Sequence, residues 1–215
     1  MISSQQCPLC HSHHWDAFYQ DRRDYYQCLK CDLVFVGKHQ QLTLENEKAI
    51  YDQHNNSPDD PQYRQFLSRL MDPVLKAIKA QSCGLDFGSG PGPTLAIMFA
   101  EQGHKMKNYD IFYADNKEVF DSQYDFICAT EVVEHLAQPK EELARLWTCL
   151  KDNGILALMT KRVISKKAFA QWHYKNDQTH ICFFSIKTFQ WLADNWQAEV
   201  SFPEKDVVLF KKKSS

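Results

Sequence analysis

An α/β fold with a mainly parallel sheet, preceded by a small cysteine-rich module, is predicted from three observations. From Cys83 onward, strand-like and helix-like runs alternate, which implies parallel strands covered by helices on both faces. One strand-to-helix corner, Leu85-Asp86-Phe87-Gly88-Ser89-Gly90-Pro91-Gly92, is glycine-rich. Ahead of it, four cysteines fall as two close pairs, Cys7/Cys10 and Cys28/Cys31.

The length of 215 residues suffices for one good core and a small appendage. A net charge of -2 gives no whole-chain footprint for nucleic acid, and Lys211-Lys212-Lys213 reads as a solvated end. No stretch has the apolar length of a membrane span. Met1-Ile2-Ser3-Ser4-Gln5-Gln6 lacks the charged and apolar regions of a signal peptide, so a cytoplasmic location with reduced thiols is expected. Of the eight cysteines, Cys83, Cys128, Cys149 and Cys182 lie in apolar segments and read as small core residues.

Cys7-Pro8-Leu9-Cys10 and Cys28-Leu29-Lys30-Cys31 can each grip one metal from a tight turn. Two such knuckles complete a tetrahedral site of four thiolates, so Cys7, Cys10, Cys28 and Cys31 are predicted ligands of Zn2+. His11, His13 and His14 read as surface residues, with His13 or His14 as an alternative fourth ligand. The loop between the knuckles carries Trp15, Phe18, Tyr19, Tyr25 and Tyr26, enough to cover the site, and Leu33–Val36 reads as a strand. The module resembles a zinc ribbon. Arg22 and Arg23 are balanced by Asp16, Asp21, Asp24 and Asp32, so it lacks the basic excess of a nucleic-acid reader. The predicted organisation is a ribbon over residues 1–38, a polar linker over 39–60 and the α/β domain over 61–215.

Within the linker, 42–51 can carry a short helix. Asp60-Pro61 reads as an N-cap followed by proline at the first helical position. Tyr63, Phe66, Leu67, Leu70, Met71, Val74, Leu75 and Ile78 then recur at helical spacing. Asp72-Pro73 repeats the start signal, leaving two abutting helices or one kinked helix. Leu85–Phe87 ends the first strand, and Pro93 opens a helix carrying Leu95, Met98 and Phe99 inward. Lys105–Tyr109 is a second, polar strand ending at Asp110. Tyr124–Ala129 is a strand leading into Thr130-Glu131-Val132-Val133-Glu134-His135-Leu136. A helix near Pro139 follows, with Leu143, Leu146, Trp147 and Leu150 on one face. Asp152-Asn153-Gly154 then turns into the strand Ile155–Met159. Ser185 caps a helix through Phe189 and Leu192, and 198–202 with 207–210 form a hairpin.

The glycine turn leaves little side chain between backbone and ligand, and the helix start after it favours a carboxylate. Asp86 adds a partner for an ammonium, and Asp110 stands where an acid accepts both ribose hydroxyls. A site for both ends of an amino acid beside a nucleoside suits S-adenosylmethionine. A dehydrogenase fingerprint would need a glycine three positions beyond Gly90, where Pro93 stands.

The glycine run, Asp110, Tyr124-Asp125-Phe126-Ile127, the Glu131–Leu136 block and Leu150-Lys151-Asp152-Asn153-Gly154 follow the order of motifs in class I S-adenosylmethionine-dependent methyltransferases. The resemblance spans residues 62–210. It is nearest to the small-molecule branch that includes ubiquinone-biosynthesis-type O-methyltransferases, and the cysteine ribbon is also similar to that of certain sugar C-methyltransferases. It implies a Rossmann-like sheet of seven strands, mostly parallel with the last antiparallel. It implies that Gly88, Ser89 and Gly90, with Asp86 and Gly92, hold the methionine moiety. Asp110 would hold the ribose, Ile111 would pack near adenine, and Thr130 and Glu131 would lie at the carboxyl end of the fourth strand. The family normally has a helix and a strand where this chain has only Ile111–Gln123, so the third strand is expected to be rudimentary. Asp115 and Asp121 are the available substitutes for the usual adenine-contacting acid.

His135 is a candidate general base; the alternative is a residue that hydrogen-bonds a nearby carbonyl. His180, in Gln178-Thr179-His180-Ile181-Cys182-Phe183-Phe184-Ser185, is a second candidate base or substrate ligand. Glu134 reads as structural or solvent-facing, and Trp172, His173 and Tyr174 as pocket or core. The expected activity is O- or C-methylation of a small molecule, with no membrane partner. The alternatives are RNA methylation with the ribbon as grip, and a catalytically silent cofactor-binding module. The charge balance argues against RNA, as does the lack of an Asn/Asp-Pro-Pro-aromatic motif after the fourth strand.

Overall fold

The computed structural model describes residues 5–53 and 57–214. Met1–Ser4, part of the leader reading and of the ribbon's predicted bounds, lie outside the described residues, as do 54–56 of the linker and Ser215. Strands β1 (Trp15–Gln20) and β2 (Asp24–Cys28) form an antiparallel hairpin, and β3 (Val34–Val36) pairs with β2. The aromatics expected in a covering loop therefore sit on the two hairpin strands. Aromatic residues suit the pleated, half-buried surface of a sheet, which favours a hairpin there. Helix α1 (Leu44–Tyr51) follows, capped by Thr43, whose side chain accepts from the Asn46 N–H at 3.3 Å. Helix α2 (Pro61–Ala77) starts at Asp60, which accepts from the Gln62 N–H at 2.8 Å. It runs through Pro73 as one helix.

The central sheet contains β4 (Cys83–Phe87), β5 (Lys105–Tyr109), β6 (Tyr124–Thr130), β7 (Leu150–Met159), β9 (Glu199–Glu204) and β10 (Val207–Lys211). Their order is β5-β4-β6-β7-β10-β9, parallel from β5 through β7, with β10 antiparallel to both neighbours. Helices α3 (Thr94–Glu101), α4 (Pro139–Thr148), α5 (Lys166–Ala170) and α6 (Ile186–Trp196) complete the layers.

Among the described residues the central sheet has six strands, not the seven expected. After β5 the chain makes a tight Asp110–Ala114 bridge and a 3-10 turn over Lys117–Asp121, capped by Asn116. That uses up the segment before β6, and β5 becomes the sheet edge. Lys105 and Lys107 on this strand discourage further strand pairing. A second difference lies in β7, which begins at Leu150. Asp152-Asn153-Gly154 is an irregularity inside the strand, where the register with β6 shifts and Asn153 takes φ 62°.

Period-two alternation fills both faces of the sheet. Phe126, Cys128, Ile155, Ala157, Met159, Val207 and Leu209 pack with α2 and α3. Ile127, Ala129, Leu156, Leu158, Val208 and Phe210 pack on the opposite face with α4 and α6. The ribbon joins that second core through Leu9, Phe18, Tyr25 and Phe35. Strand β8 (Cys182–Phe183), far along the chain, adds to the ribbon sheet beside β3, with Val34 opposite Phe183 and Phe35 opposite Cys182.

Candidate active site

The carboxyl ends of β4, β5 and β6 open onto a cleft of about 590 Å³, roofed by α1 and the start of α2. Open parallel sheets place ligands at this edge because the loops diverge where the strand order reverses. Asp86, Gly88, Ser89, Gly90, Gly92, Asp110, Ile111, Thr130 and Glu131 all line it, as do His135 and His180.

The glycine turn is held by hydrogen bonds from below and beside. The Gly88 and Ser89 N–H groups donate to the Tyr109 carbonyl at 2.7 and 3.1 Å. Gly88 and Gly90 have φ of 78° and 64°, where a Cβ is strained. A Cβ on Gly88 would also lie 2.4 Å from a Val132 methyl carbon. Gly88→Ala is therefore expected to destabilise the fold by about 2–4 kcal/mol, read as a lower urea midpoint.

Asp110 ties this turn to the next. Its Oδ2 accepts from the Gly90 N–H at 2.9 Å, and its Oδ1 from the Phe112 and Tyr113 N–H groups at 2.8 and 3.1 Å. A carboxylate has about four lone-pair positions, so capacity remains for a ligand hydroxyl. Asp86 is buried, and that burial, with the charge of Asp110, pushes its carboxyl up to about 7. Ile111 is 55 % exposed at the rim. Asp115 and Asp121 do not line the cleft, whereas Glu142 of α4 does, paired with Arg145.

Glu131 has φ 53° and donates its N–H to the Met159 carbonyl at 2.8 Å. A left-handed glutamate at a strand end stores local strain of about 1–2 kcal/mol, and such residues concentrate at functional sites. Glu134 is fully buried, which corrects the solvent-facing half of its expectation. Burial and the nearby Glu131 push its carboxyl up to about 8. The Tyr174 hydroxyl bridges the pair, bonded to Glu134 and 3.1 Å from Glu131. One phenolic proton serves one acceptor, so a protonated Glu134 leaves Tyr174 free to donate to Glu131. Tyr174 is thus a buried member of the core rather than a cleft-lining residue.

His135 Nδ1 lies 3.2 Å from the Thr179 carbonyl, the hydrogen bond foreseen as the alternative to a base. A carbonyl only accepts, so Nδ1 carries the proton and the lone pair sits on Nε2. His180 packs against it, with ring centres 4.7 Å apart. Its Nδ1 is 2.7 Å from the Tyr174 carbonyl, which fixes the same tautomer, and its Nε2 is 3.7 Å from Asp177 Oδ2. Burial holds the His180 imidazole below its usual pKa, against the pull of Asp177. Burial opposes the charge on Asp177, but two hydrogen bonds from Thr179 outweigh it and hold that carboxyl low.

Sequence reasoning missed Glu47, Tyr51, Tyr113 and Asp177, which also line the cleft. The Tyr51 hydroxyl donates to Glu47 at 2.6 Å, and its ring meets those of His135 and Phe112. The Tyr113 hydroxyl ties the β5 turn to Asp52 at 2.7 Å. The i,i+4 spacing of Glu47 and Tyr51 was the available signal, obscured by the polarity of the linker.

In the ribbon, Cys7 and Cys31 Sγ are 3.5 Å apart and Cys10 and Cys28 Sγ 3.4 Å apart, all four within 4.8 Å. The knuckles are alike in backbone: His11 and Asp32, each following a second cysteine, have φ 56° and 63°, and donate to the Cys7 and Cys28 carbonyls at 2.9 Å. His11 pairs with Glu141, away from the thiols.

A family model described as a methyltransferase domain matches residues 59–200. The fold is similar to that of a SAM-dependent methyltransferase from Archaeoglobus fulgidus, at TM-score 0.52 and 14 % identity, covering 69 % of this chain and 94 % of that one. A second similar structure is the 1,6-didemethyltoxoflavin-N1-methyltransferase of Burkholderia thailandensis, with TM-score 0.47 and 13 % identity, covering 94 % of this chain and all of that one. No curated protein matches the chain.

Proposed function

The chain belongs to the methyltransferase-domain family, among the class I S-adenosylmethionine-dependent enzymes, and from that premise we propose that it methylates a small, neutral or cationic acceptor at an oxygen or carbon. The observation that carries this reading is the single cleft joining the glycine turn, Asp86 and Asp110 to the paired imidazoles of His135 and His180.

The cleft fits the cofactor. The φ values of Gly88 and Gly90 place backbone, not side chain, against a methionine moiety. Thr130 Oγ1 is buried at the cleft without a hydrogen-bond partner. Among the described lining residues, Glu47, Asp86, Asp110, Glu131, Glu142 and Asp177 face a single arginine, Arg145, and no lysine. That balance suits a sulfonium-bearing ligand of net positive charge and repels phosphates. It disfavours RNA and any acceptor carrying an anionic group.

The sulfonium supplies an already reactive methyl group, so the protein's task is alignment and the exclusion of water. We assign the base role to His180: neutral at rest, its lone pair is on Nε2, and Asp177 stabilises the imidazolium formed when it takes the acceptor's proton. Tyr51 and Glu47 on α1 close the acceptor end. Incubation with methyl-labelled S-adenosylmethionine and the small-molecule fraction of a cell extract should give a labelled small product. His180→Gln should cut its rate by about 10²–10⁴-fold while leaving S-adenosylhomocysteine affinity unchanged. Label appearing only in the RNA fraction would overturn the acceptor class.

Asp86 gives the cofactor end a pH dependence. Its folded-state pKa is raised, so the free protein holds a proton there that the unfolded chain releases near 3.8. Stability contributed by this group is lost as pH rises through about 7, while the carboxylate that pairs with the ligand ammonium is gained. Cofactor affinity is therefore expected to rise with pH through about 7, with proton release on binding below it. Calorimetry in buffers of different ionisation enthalpy measures both, and Asp86→Asn should flatten the profile.

The four cysteines fit Zn2+. Tetrahedral sites with Zn–S bonds of about 2.3 Å need thiolates under 4 Å apart, as the Cys7–Cys31 and Cys10–Cys28 separations are. We assign them a structural role, since none of the four lines the cleft.

A further inference from the structure

The turn between β1 and β2 reaches from the ribbon to the acceptor side of the cleft. Arg23 donates to four main-chain carbonyls of one loop: Lys175 at 2.5 Å, Asp177 at 2.9 Å, Gln178 at 3.1 Å and His180 at 3.0 Å. The Tyr25 hydroxyl donates to the Lys175 carbonyl too, at 3.2 Å. Beside them the Lys175 ammonium, 5 % exposed, pairs with Asp21 of the same turn. A guanidinium presents five donors in a fixed plane, so it can gather carbonyls that face one point; an ammonium presents three and lacks the fork. The clamped loop carries Asp177 and His180 into the cleft and then passes the Ile181 N–H to the Glu134 carbonyl at 2.8 Å. Arg23 itself is not among the cleft-lining residues.

We propose that Arg23 is a positioning residue for the acceptor half of the site, fixing the Lys175–His180 loop so that the cysteine module is part of the active centre rather than a separate appendage. The roles of His180 and Asp177 rest on the methyltransferase reading above; the clamp itself does not.

The test uses the full chain as Arg23→Ala and Arg23→Lys, with Arg22→Ala, an exposed neighbour, as control. Both Arg23 variants should lose amide-exchange protection over 177–181 by about tenfold or more, since charge-assisted bonds hold the loop. The ring 15N shifts of His180 should change with them, while S-adenosylhomocysteine affinity stays within about twofold. Millimolar guanidinium should return the His180 shifts of Arg23→Ala toward those of the unmutated protein, which a general loss of stability would not allow. Unchanged protection and unchanged His180 shifts in Arg23→Ala overturn the proposal; if that variant does not fold, unchanged values in Arg23→Lys do. Failure of the unmutated protein to bind S-adenosylhomocysteine would instead overturn the methyltransferase reading and leave the exchange result standing.

Discussion

Asp110→Ala is expected to weaken S-adenosylhomocysteine binding by about 100-fold or more, the largest effect of any single cofactor-end substitution. Two losses combine. The side chain is the assigned acceptor for ligand hydroxyls, and it is also the common acceptor for the Gly90, Phe112 and Tyr113 N–H groups. Three backbone donors left without partners cost about 1–3 kcal/mol each where water does not replace the bond, and tenfold in affinity is about 1.4 kcal/mol. Asp110→Asn separates the contributions. Its amide oxygen can still serve Phe112 and Tyr113, but its NH₂ faces the Gly90 N–H, so the glycine turn alone is disturbed. Intermediate affinity in Asp110→Asn is the expected result by calorimetry. An Asp110→Ala variant that bound the ligand as the unmutated protein does would remove the basis for placing the nucleoside at β5. Asp86 would respond as well: the charge of Asp110 is one of the two causes of its raised pKa, so the pH midpoint of any residual binding should move down.

That the candidate cofactor residues line one cleft was legible in the sequence, because their placement depends on local chain geometry. A glycine turn after a buried strand, an acid at the end of the next strand and a block after the fourth are each set by a few contiguous residues. The acceptor end was legible only in part. His135 and His180 could be named, but Asp177 gains its meaning from a 3.7 Å approach to a ring that the loop turns back towards it. Tyr51 and Glu47 lie in a segment whose polarity reads as linker, and they matter because tertiary packing lays α1 across the cleft. The ribbon shows the same limit. Its candidate ligands were named from spacing alone, whereas its fourth strand comes from residues 182–183, a pairing no local pattern specifies. The missing third strand was foreshadowed by chain length; the Asp110–Ala114 bridge that replaces it was not.

Stripping Zn2+ from the proposed four-cysteine site should have a larger effect on stability than any substitution in the cleft. Structural Zn2+ binding contributes about 10–16 kcal/mol to small cysteine sites, comparable to or above the total stability of a typical domain. Without the ion, the buried thiols of Cys7 and Cys31 have no partner strong enough to hold the two knuckles together. The loss would not stop at the ribbon, since β3 pairs with β8 and Tyr25 packs edge-on against Phe169 and Phe183. The protein is expected to carry one zinc per chain by elemental analysis and to take up Co2+ with the spectrum of a tetrahedral thiolate site. Cys28→Ser with Cys31→Ser should abolish the metal and lower the melting temperature by more than about 10 °C. A doubly substituted chain that was metal-free yet melted unchanged would show that packing alone sustains the ribbon.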